Sequence, residues 1–469
     1  MKPAILLTLT SSLLTITGLA QEQDLETFSQ DAVRLLQEYV RVDTTNPPGN
    51  ETRGVEFLAG ILDAYGIKYE TAESAPGRGN IWARLEGGDE PAILLLHHID
   101  VVPADEEHWT TSPLGAEIRD GYLYGRGTLD TKTSGILHLQ AFLALQADGR
   151  PLNRDVIFMA TADEEAGGNF GAGWLAKNRP ELFDGVGVIL NEGGSGTILG
   201  SKETSPAGGG TISFEVEVTQ KVPWWFRLVA TDKPGHGSLP RTTNALTRLI
   251  HALARLDNYQ FEPHIVPAVD AYFKAISGVA DPQWRHAFFD IAEAVKEPGF
   301  LLRLQLENPF LHALTRNACS ITMLSGSKKI NVVPPSAEAQ IDCRLVPDQD
   351  PQEFIQLLRT IINDSAIEME TIMGFTPAMS TTDTAVYRAI ERVSKQYFPD
   401  SQVTPMVQTG FTDSHFFRDM GITAYGFEAT VTASSETDRV HGNDERISLE
   451  NITRGVRMTY DILVQVVHD

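Results

Sequence analysis

Histidines and acids at the ends of apolar runs carry the chemistry available to this chain. His97 and His98 close the run "PAILLLHH", and Asp100 follows two places later. Acids recur after apolar or glycine-rich stretches: Asp130 in "GYLYGRGTLDTKTSG", Asp163, Glu164 and Glu165 in "ATADEEAGG", and Glu192 in "VILNEGG". Another histidine, His441, stands far along the chain in "RVHGNDERI". Imidazoles and carboxylates together form the ligand set of hydrolytic sites that use two zinc ions, with one carboxylate shared and another acting as general base.

Strand residues two apart face the same side, so His98 and Asp100 meet while His97 points away. Asp100 is then placed to accept a hydrogen bond from the imidazole N–H turned away from a metal, which fixes the tautomer. His97 reads as a packing or supporting histidine. The acids have plainer readings too. Asp130 precedes a helix and fits an N-cap; three consecutive acids repel one another unless a cation sits among them or they fan into water. Each alone reads as a solvated loop residue, and it is their joint order that points to a metal.

Such residues need strand ends to hold them. Short apolar strands, "NIWARLEG", "AILLLHHI", "RDVIFMATA" and "VGVILNEGG", alternate with helical stretches, one of them from about Ser134 to Ala147. That rhythm predicts an α/β domain with a mixed, largely parallel sheet covered on both faces. After "SPAGGGT" the rhythm changes. The strands "TISFEVEVT", "WWFRLVAT", "SITMLSG" and "AEAQIDCRLV" with helices "NALTRLIHALARL" and "PQEFIQLLRTIIND" predict an α+β unit with a four-stranded antiparallel sheet. Residues 258–311 form an extra helical stretch within it. The α/β rhythm returns near Gly374, so the second unit is inserted into the first: residues 21–208 and 373–469 make one domain, and 209–372 the other.

The chain has 469 residues, enough for two domains, and a formal net charge of −24 that argues against nucleic acid or an anionic membrane as partner. Residues 1–20 have the layout of a cleaved secretory signal, with Gly18 and Ala20 before a cut at Gln21. This predicts a periplasmic or secreted protein. No later apolar run is long enough to span a bilayer. The two cysteines, Cys319 and Cys343, flank a hairpin and are placed either to pair or to remain buried thiols.

The motifs "HHIDVVP", "GRGTLDTK", "ADEEAGG", "NEGG", "PGHGSLP", "NVVPPSAEAQIDCR", "GFTDS" and "VHGNDE" occur in this order. In this the chain resembles the di-zinc exopeptidase and deacylase family of aminoacylase, acetylornithine deacetylase, succinyl-diaminopimelate desuccinylase and carboxypeptidase G (peptidase clan MH, family M-twenty), from about Ala32 to the C-terminus. The resemblance implies a catalytic domain with an inserted lid. It implies two Zn2+ per subunit, replaceable by Co2+ or Mn2+, with His98 and Glu192 on one, Glu165 and His441 on the other, and Asp130 bridging. Glu164 becomes the general base, Arg126 and Lys132 structural neighbours of the bridge, and the Asp130–Thr131 peptide cis. It further implies that His236 of the lid helps hold the oxyanion, that Asn331 and Arg344 contact substrate, and that a homodimer forms through the lid. For Arg344 a salt bridge to Asp342 is the equal alternative. One departure stands out: "TDSHFF" has His415 where many relatives have arginine. The implied activity is zinc-dependent cleavage of an amide bond in a small peptide or N-acyl amino acid. A small-molecule deacylase and a catalytically silent binding protein on the same fold are the rivals.

Overall fold

A computed structural model describes residues 10–199 and 211–468. The glycine-rich stretch at which the domain change was read, and the first nine residues of the predicted leader, lie outside the described residues. Contacts divide the chain into two compact units. The first takes residues up to Glu217, Thr381–Thr404 and residues from Thr412, and the second takes Val218–Ser380 and Pro405–Phe411.

The first unit is organised by a ten-stranded mixed sheet. Its strands run in the spatial order Tyr69–Glu73, Gly79–Leu85, Arg154–Thr161, Glu90–His98, Val186–Asn191, Thr423–Gly426, Thr211–Gln220, Gly196–Leu199 and Val431–Ala433, with Gln402–Gln408 beside Thr211–Gln220. Glu90–His98 is parallel to both of its neighbours, with Leu94 opposite Ile157 on one side and Ile189 on the other. From Ala92 to His98 every residue is buried, as a strand covered on both faces requires. One cover is the helix Lys132–Asp148, buried almost all round, which packs against the helices Thr10–Val40 and Leu449–Val467. Among the described residues no helix is long and apolar enough to cross a membrane.

The second unit has a four-stranded antiparallel sheet in the order Ala318–Ser325, Ser336–Leu345, Val222–Thr231, Ile367–Gly374. Phe226, Leu228, Ala339 and Ile341 of one sheet face share a core with Leu249 of the helix Ala245–Asp257 and Phe354 of the helix Pro351–Ile362. The extra helical stretch consists of five short helices between Pro267 and Leu314, three of which begin with proline at the first turn. Trp284 anchors them, with ring centroids 5.4 Å from Phe288 and 5.7 Å from Phe300. Cys319 and Cys343 lie directly opposite on neighbouring strands and form a disulfide.

One strand is not where its pattern placed it. Thr211–Gln220, read as part of the inserted unit's sheet, pairs instead with Gly196–Leu199 and with Gly426 in the ten-stranded sheet. Its glutamates imitate the polar face of a half-exposed strand. Glu217, however, is fully buried and ion-paired to Arg418 at 2.6 Å. The fourth strand of the smaller sheet is Ile367–Gly374, whose pairing with Val222–Thr231 its mixed polarity concealed.

The second unit also buries a lysine. Lys221 donates to the carbonyl oxygens of Ala313, at 3.0 Å, and of Arg316. Burial, helped by Arg344 and Arg316, brings its pKa down to about 7. The unfolded chain therefore binds more protons than the folded one between about pH 7 and the ordinary lysine value of 10.5, and stability rises with pH across that window. Lys221→Met removes this contribution. In denaturant titrations the stability of the wild type relative to the variant is expected to climb with pH over that window, by at most about 1.4 kcal/mol per pH unit. A pH-independent difference would show that the ammonium stays protonated in its buried site.

Candidate metal centre

Three adjacent parallel strands deliver their carboxyl ends to one place, the position at which open α/β sheets bind ligands. His98 ends the central strand, Glu192 follows Asn191 on one neighbour, and Glu164 and Glu165 follow Thr161 on the other. Asp130 arrives from the loop before the helix Lys132–Asp148, and His441 from the loop before Arg446–Ser448. The Asp130–Thr131 peptide is cis.

Asp130 stands in the middle. Its Oδ1 is 3.0 Å from His98 Nε2 and its Oδ2 is 3.0 Å from His441 Nε2, one carboxylate oxygen for each imidazole. His98 Nε2 also lies 3.5 Å from Glu192 Oε2 and 4.0 Å from Glu164 Oε2, while His441 Nε2 lies 3.1 Å from Glu165 Oε2. Two groups of ligand atoms, His98 with Glu164 and Glu192 and His98 with Asp130 and Glu165, each fit within 4.8 Å.

Asp100 does more than orient a ring. The nearest acceptor for His98 Nδ1 is the main-chain carbonyl of Asp100 at 2.9 Å, with the carboxylate oxygen at 3.5 Å. The carboxylate accepts instead from the main-chain N–H groups of Glu164, at 3.1 Å, and Glu165, at 3.2 Å, and from Asn46 Nδ2 at 2.7 Å. It thus ties the strand carrying His98 to the turn carrying both glutamates. That turn starts at Asp163, held at φ 73°, and leaves through Gly167 and Gly168 at φ 103° and 69°. Glycine suits such positions because it has no Cβ to clash. Asp163 is anchored by Arg78, which also reaches Glu51 at 3.1 Å.

The electrostatics are those of crowded acids. Burial, then Glu192, raises the Glu164 carboxyl well above the usual range. Burial also raises Glu165, and lifts Glu192 to about 7. Burial acts the same way on Asp130, yet His441 and His98 outweigh it and hold that carboxyl low. His441 is raised to about 10 by Asp130 and Glu165, and His98 is raised well above its ordinary value by Glu192, Asp100 and Asp130 against the pull of burial. Four carboxylates thus compete for two imidazoles, and Glu165 Oε1 is buried with no hydrogen-bond partner among the described residues. Hard and borderline divalent cations suit this oxygen-and-imidazole donor set.

The other expected residues divide. Lys132 is wholly buried, donating to the carbonyls of Tyr39 at 3.0 Å and Val42 at 2.7 Å, and Arg126 pairs with Glu445 at 2.5 Å. His97 turns away to meet Tyr39 Oη at 3.2 Å. His236 and Asn331 lie on the second unit, on neighbouring two-residue strands or beside them, with the Asn331 carbonyl accepting from Gly237 N at 2.9 Å. His236 is exposed, its Nδ1 2.8 Å from Ser238 Oγ. Arg344 binds Asp342 through Nε and Nη2 at 2.8 and 3.1 Å. His415 is buried, and burial lowers its pKa to about 3. Pattern reading missed Asn46, Arg78 and Glu445, whose partners are distant in sequence.

The profile of Peptidase family M20/M25/M40 matches residues 94–465. The chain belongs to that family. It is 30% identical over 384 residues to an N-fatty-acyl-amino acid synthase/hydrolase of Xenopus tropicalis, covering 79% of this chain and 72% of that one. With mouse aminoacylase-1 it shares 28% over 435 residues, 91% of this chain and 92% of the relative. The fold resembles that of an M20 family metallo-carboxypeptidase from Sulfolobus solfataricus, with a TM-score of 0.69 at 20% identity, covering 92% of this chain and 98% of the other. This M20 protein is accordingly a metal-dependent hydrolase of amide bonds, and the cluster around Asp130 has the composition such chemistry needs.

Proposed function

We propose that this M20 hydrolase cleaves N-acyl amino acids or small peptides at a pair of zinc ions. The observation that carries the reading is the split carboxylate of Asp130, which addresses His98 with one oxygen and His441 with the other. His98 and Glu192 would hold one zinc, Glu165 and His441 the second, and Asp130 both. Bound zinc supplies acidification of a water and polarisation of the scissile carbonyl.

Glu164 does the proton work. It shares the turn with Glu165, is buried, and has its proton affinity raised by burial and by Glu192, the direction suited to accepting a proton from water and passing it to the leaving amine. N-acyl amino acids are the favoured substrate class, because N-fatty-acyl-amino acid synthase/hydrolases and aminoacylases outnumber the carboxypeptidase S-like protein among the relatives that span about four fifths or more of this chain. The test is hydrolysis of short- and long-chain N-acyl amino acids and of dipeptides by zinc-reconstituted protein. Glu164→Gln is expected to lower kcat by about 100- to 10,000-fold with zinc content kept, and His98→Ala to lower zinc content. Glu164→Gln that keeps most of its activity would refute the base assignment.

His236 donates to the developing oxyanion, and a second copy of the chain pairs through the smaller sheet. Supporting the second point, Ala318–Ser325 is an edge strand with Ile321, Met323 and Leu324 exposed and neither charge nor proline to block pairing. His236→Ala is expected to cost about 100- to 1000-fold in kcat at unchanged zinc content. The mass in solution should be that of a dimer in the wild type and of a monomer in Met323→Lys. Unchanged turnover in the one, or a monomeric wild type, would remove the corresponding role.

The protein is exported after cleavage before Gln21. The Cys319–Cys343 bridge supports an oxidising compartment. N-terminal sequencing of the protein from its native cells should begin at Gln21, and an intact Met1 would refute export by this route.

A further inference from the structure

The two halves of the metal centre are not equally built. His98 and Glu192 stand at the ends of adjacent strands inside the large sheet, and the side chain of His98 is 1% exposed. His441 stands on a loop, its side chain 50% exposed and its backbone at φ 59°. Its imidazole has to meet Asp130, on a loop more than 300 residues earlier in the chain. Something has to hold these two loops in register.

Glu445 does so by geometry. Its carboxylate is fully buried and saturated with donors from the Asp130 loop. Oε1 accepts from Leu129 N at 2.6 Å and Asp130 N at 3.2 Å, and Oε2 from Gly127 N at 3.2 Å and Arg126 Nη1 at 2.5 Å. Arg126 completes the tie by donating through Nη2 to the carbonyl of Gly442, next to His441, at 3.0 Å. The main chain agrees, with Gly125 N donating to the Glu445 carbonyl at 2.9 Å and Arg446 paired with Tyr124. None of these contacts touches a ligand atom of the cluster. They fix instead the backbone from which Asp130 and His441 project.

We propose that Glu445, through Arg126 and the N–H groups of residues 127, 129 and 130, is a positioning residue that builds the His441 half of the metal pair. This rests on the two-zinc reading and adds that the two ions depend on different supports. A glutamine at 445 would keep a single acceptor oxygen and turn an amide N–H2 toward groups that are themselves donors, so the tie would open at constant side-chain volume. The Asp130–His441 spacing would relax, while the strand ends bearing His98 and Glu192 would stay in place.

The test uses the full-length protein and zinc alone, by chelator competition on the metal-free form, with the thermal midpoint of that form recorded alongside. Wild type should take up two zinc ions. Glu445→Gln should bind one of them about 10- to 100-fold more weakly, the scale on which supporting residues affect metal affinity, and the other, which keeps His98 and Glu192 on their strand ends and loses support only at Asp130, by a clearly smaller factor. Arg126→Lys keeps a charge for Glu445 but cannot also reach Gly442 with a fork, so it should weaken the same single zinc to a smaller degree, and it decides the matter if Glu445→Gln does not fold. Equal weakening of both ions, or a lower metal-free midpoint with both affinities unchanged, would overturn the proposal in favour of a purely structural role. Wild type that takes up fewer than two zinc ions would overturn the two-zinc reading and this inference with it; two ions in the wild type and unchanged affinities in both variants would overturn this inference alone.

Discussion

The constraint on which the first unit depends is the crowding of Asp130, Glu164, Glu165 and Glu192 around two imidazoles. Acids in a dry site repel one another and resist ionisation. That cost is tolerable only if the backbone holds the groups together and a cation joins them. The fold meets the first requirement with parallel strands. The strands ending at His98, Thr161 and Asn191 are hydrogen-bonded neighbours, so the groups that follow them have little freedom to fan apart.

Around that frame, buried polar groups act on the backbone more than on the ligands. Asp100 accepts from the N–H groups of Glu164 and Glu165 and Glu445 from those of Leu129 and Asp130, while Lys132 donates to the carbonyls of Tyr39 and Val42. An ionised group bonded to several main-chain dipoles is better compensated than one facing a lone partner, because each dipole is already fixed in place. A charged residue used in this way sets the entry angle of a whole loop. Asp163 and Arg78 do the same for the turn carrying the glutamates.

The cluster itself was legible because His98, Glu165 and Glu192 end or follow strands of hydrophobic residues, and because His98 and Asp100 share strand parity, whereas Asp130 and His441 stand on loops and were legible only through the motifs around them. The α/β rhythm announced the sheet for the same reason: strands buried on both faces leave uninterrupted apolar runs. Thr211–Gln220 was misplaced because burial of Glu217 against Arg418 lets an acid sit where periodicity assigns it to solvent. Ile367–Gly374 escaped because its exposed positions carry Glu and Thr amid a weak apolar alternation. The supporting residues Asn46, Arg78 and Glu445 were silent for a deeper reason. Their roles consist of contacts with main-chain groups or with residues distant in sequence, and main-chain groups are identical at every position.

Asp100 illustrates how such silence misleads. Its spacing from His98 placed it correctly beside the ring, and parity alone then assigned its carboxylate to the ring nitrogen. In the fold the carbonyl is the nearer acceptor of that nitrogen at 2.9 Å, with the carboxylate at 3.5 Å, so the carboxylate also serves the glutamate turn. A carbonyl sets the tautomer as well as a carboxylate does, since either accepts from Nδ1–H and leaves the Nε2 lone pair for a metal ion shared with Asp130. The carboxylate adds what a carbonyl cannot, a full charge with two oxygens able to gather two main-chain N–H groups and Asn46 together. The division of labour follows from valence: one residue offers three oxygens, and the strand end offers three tasks.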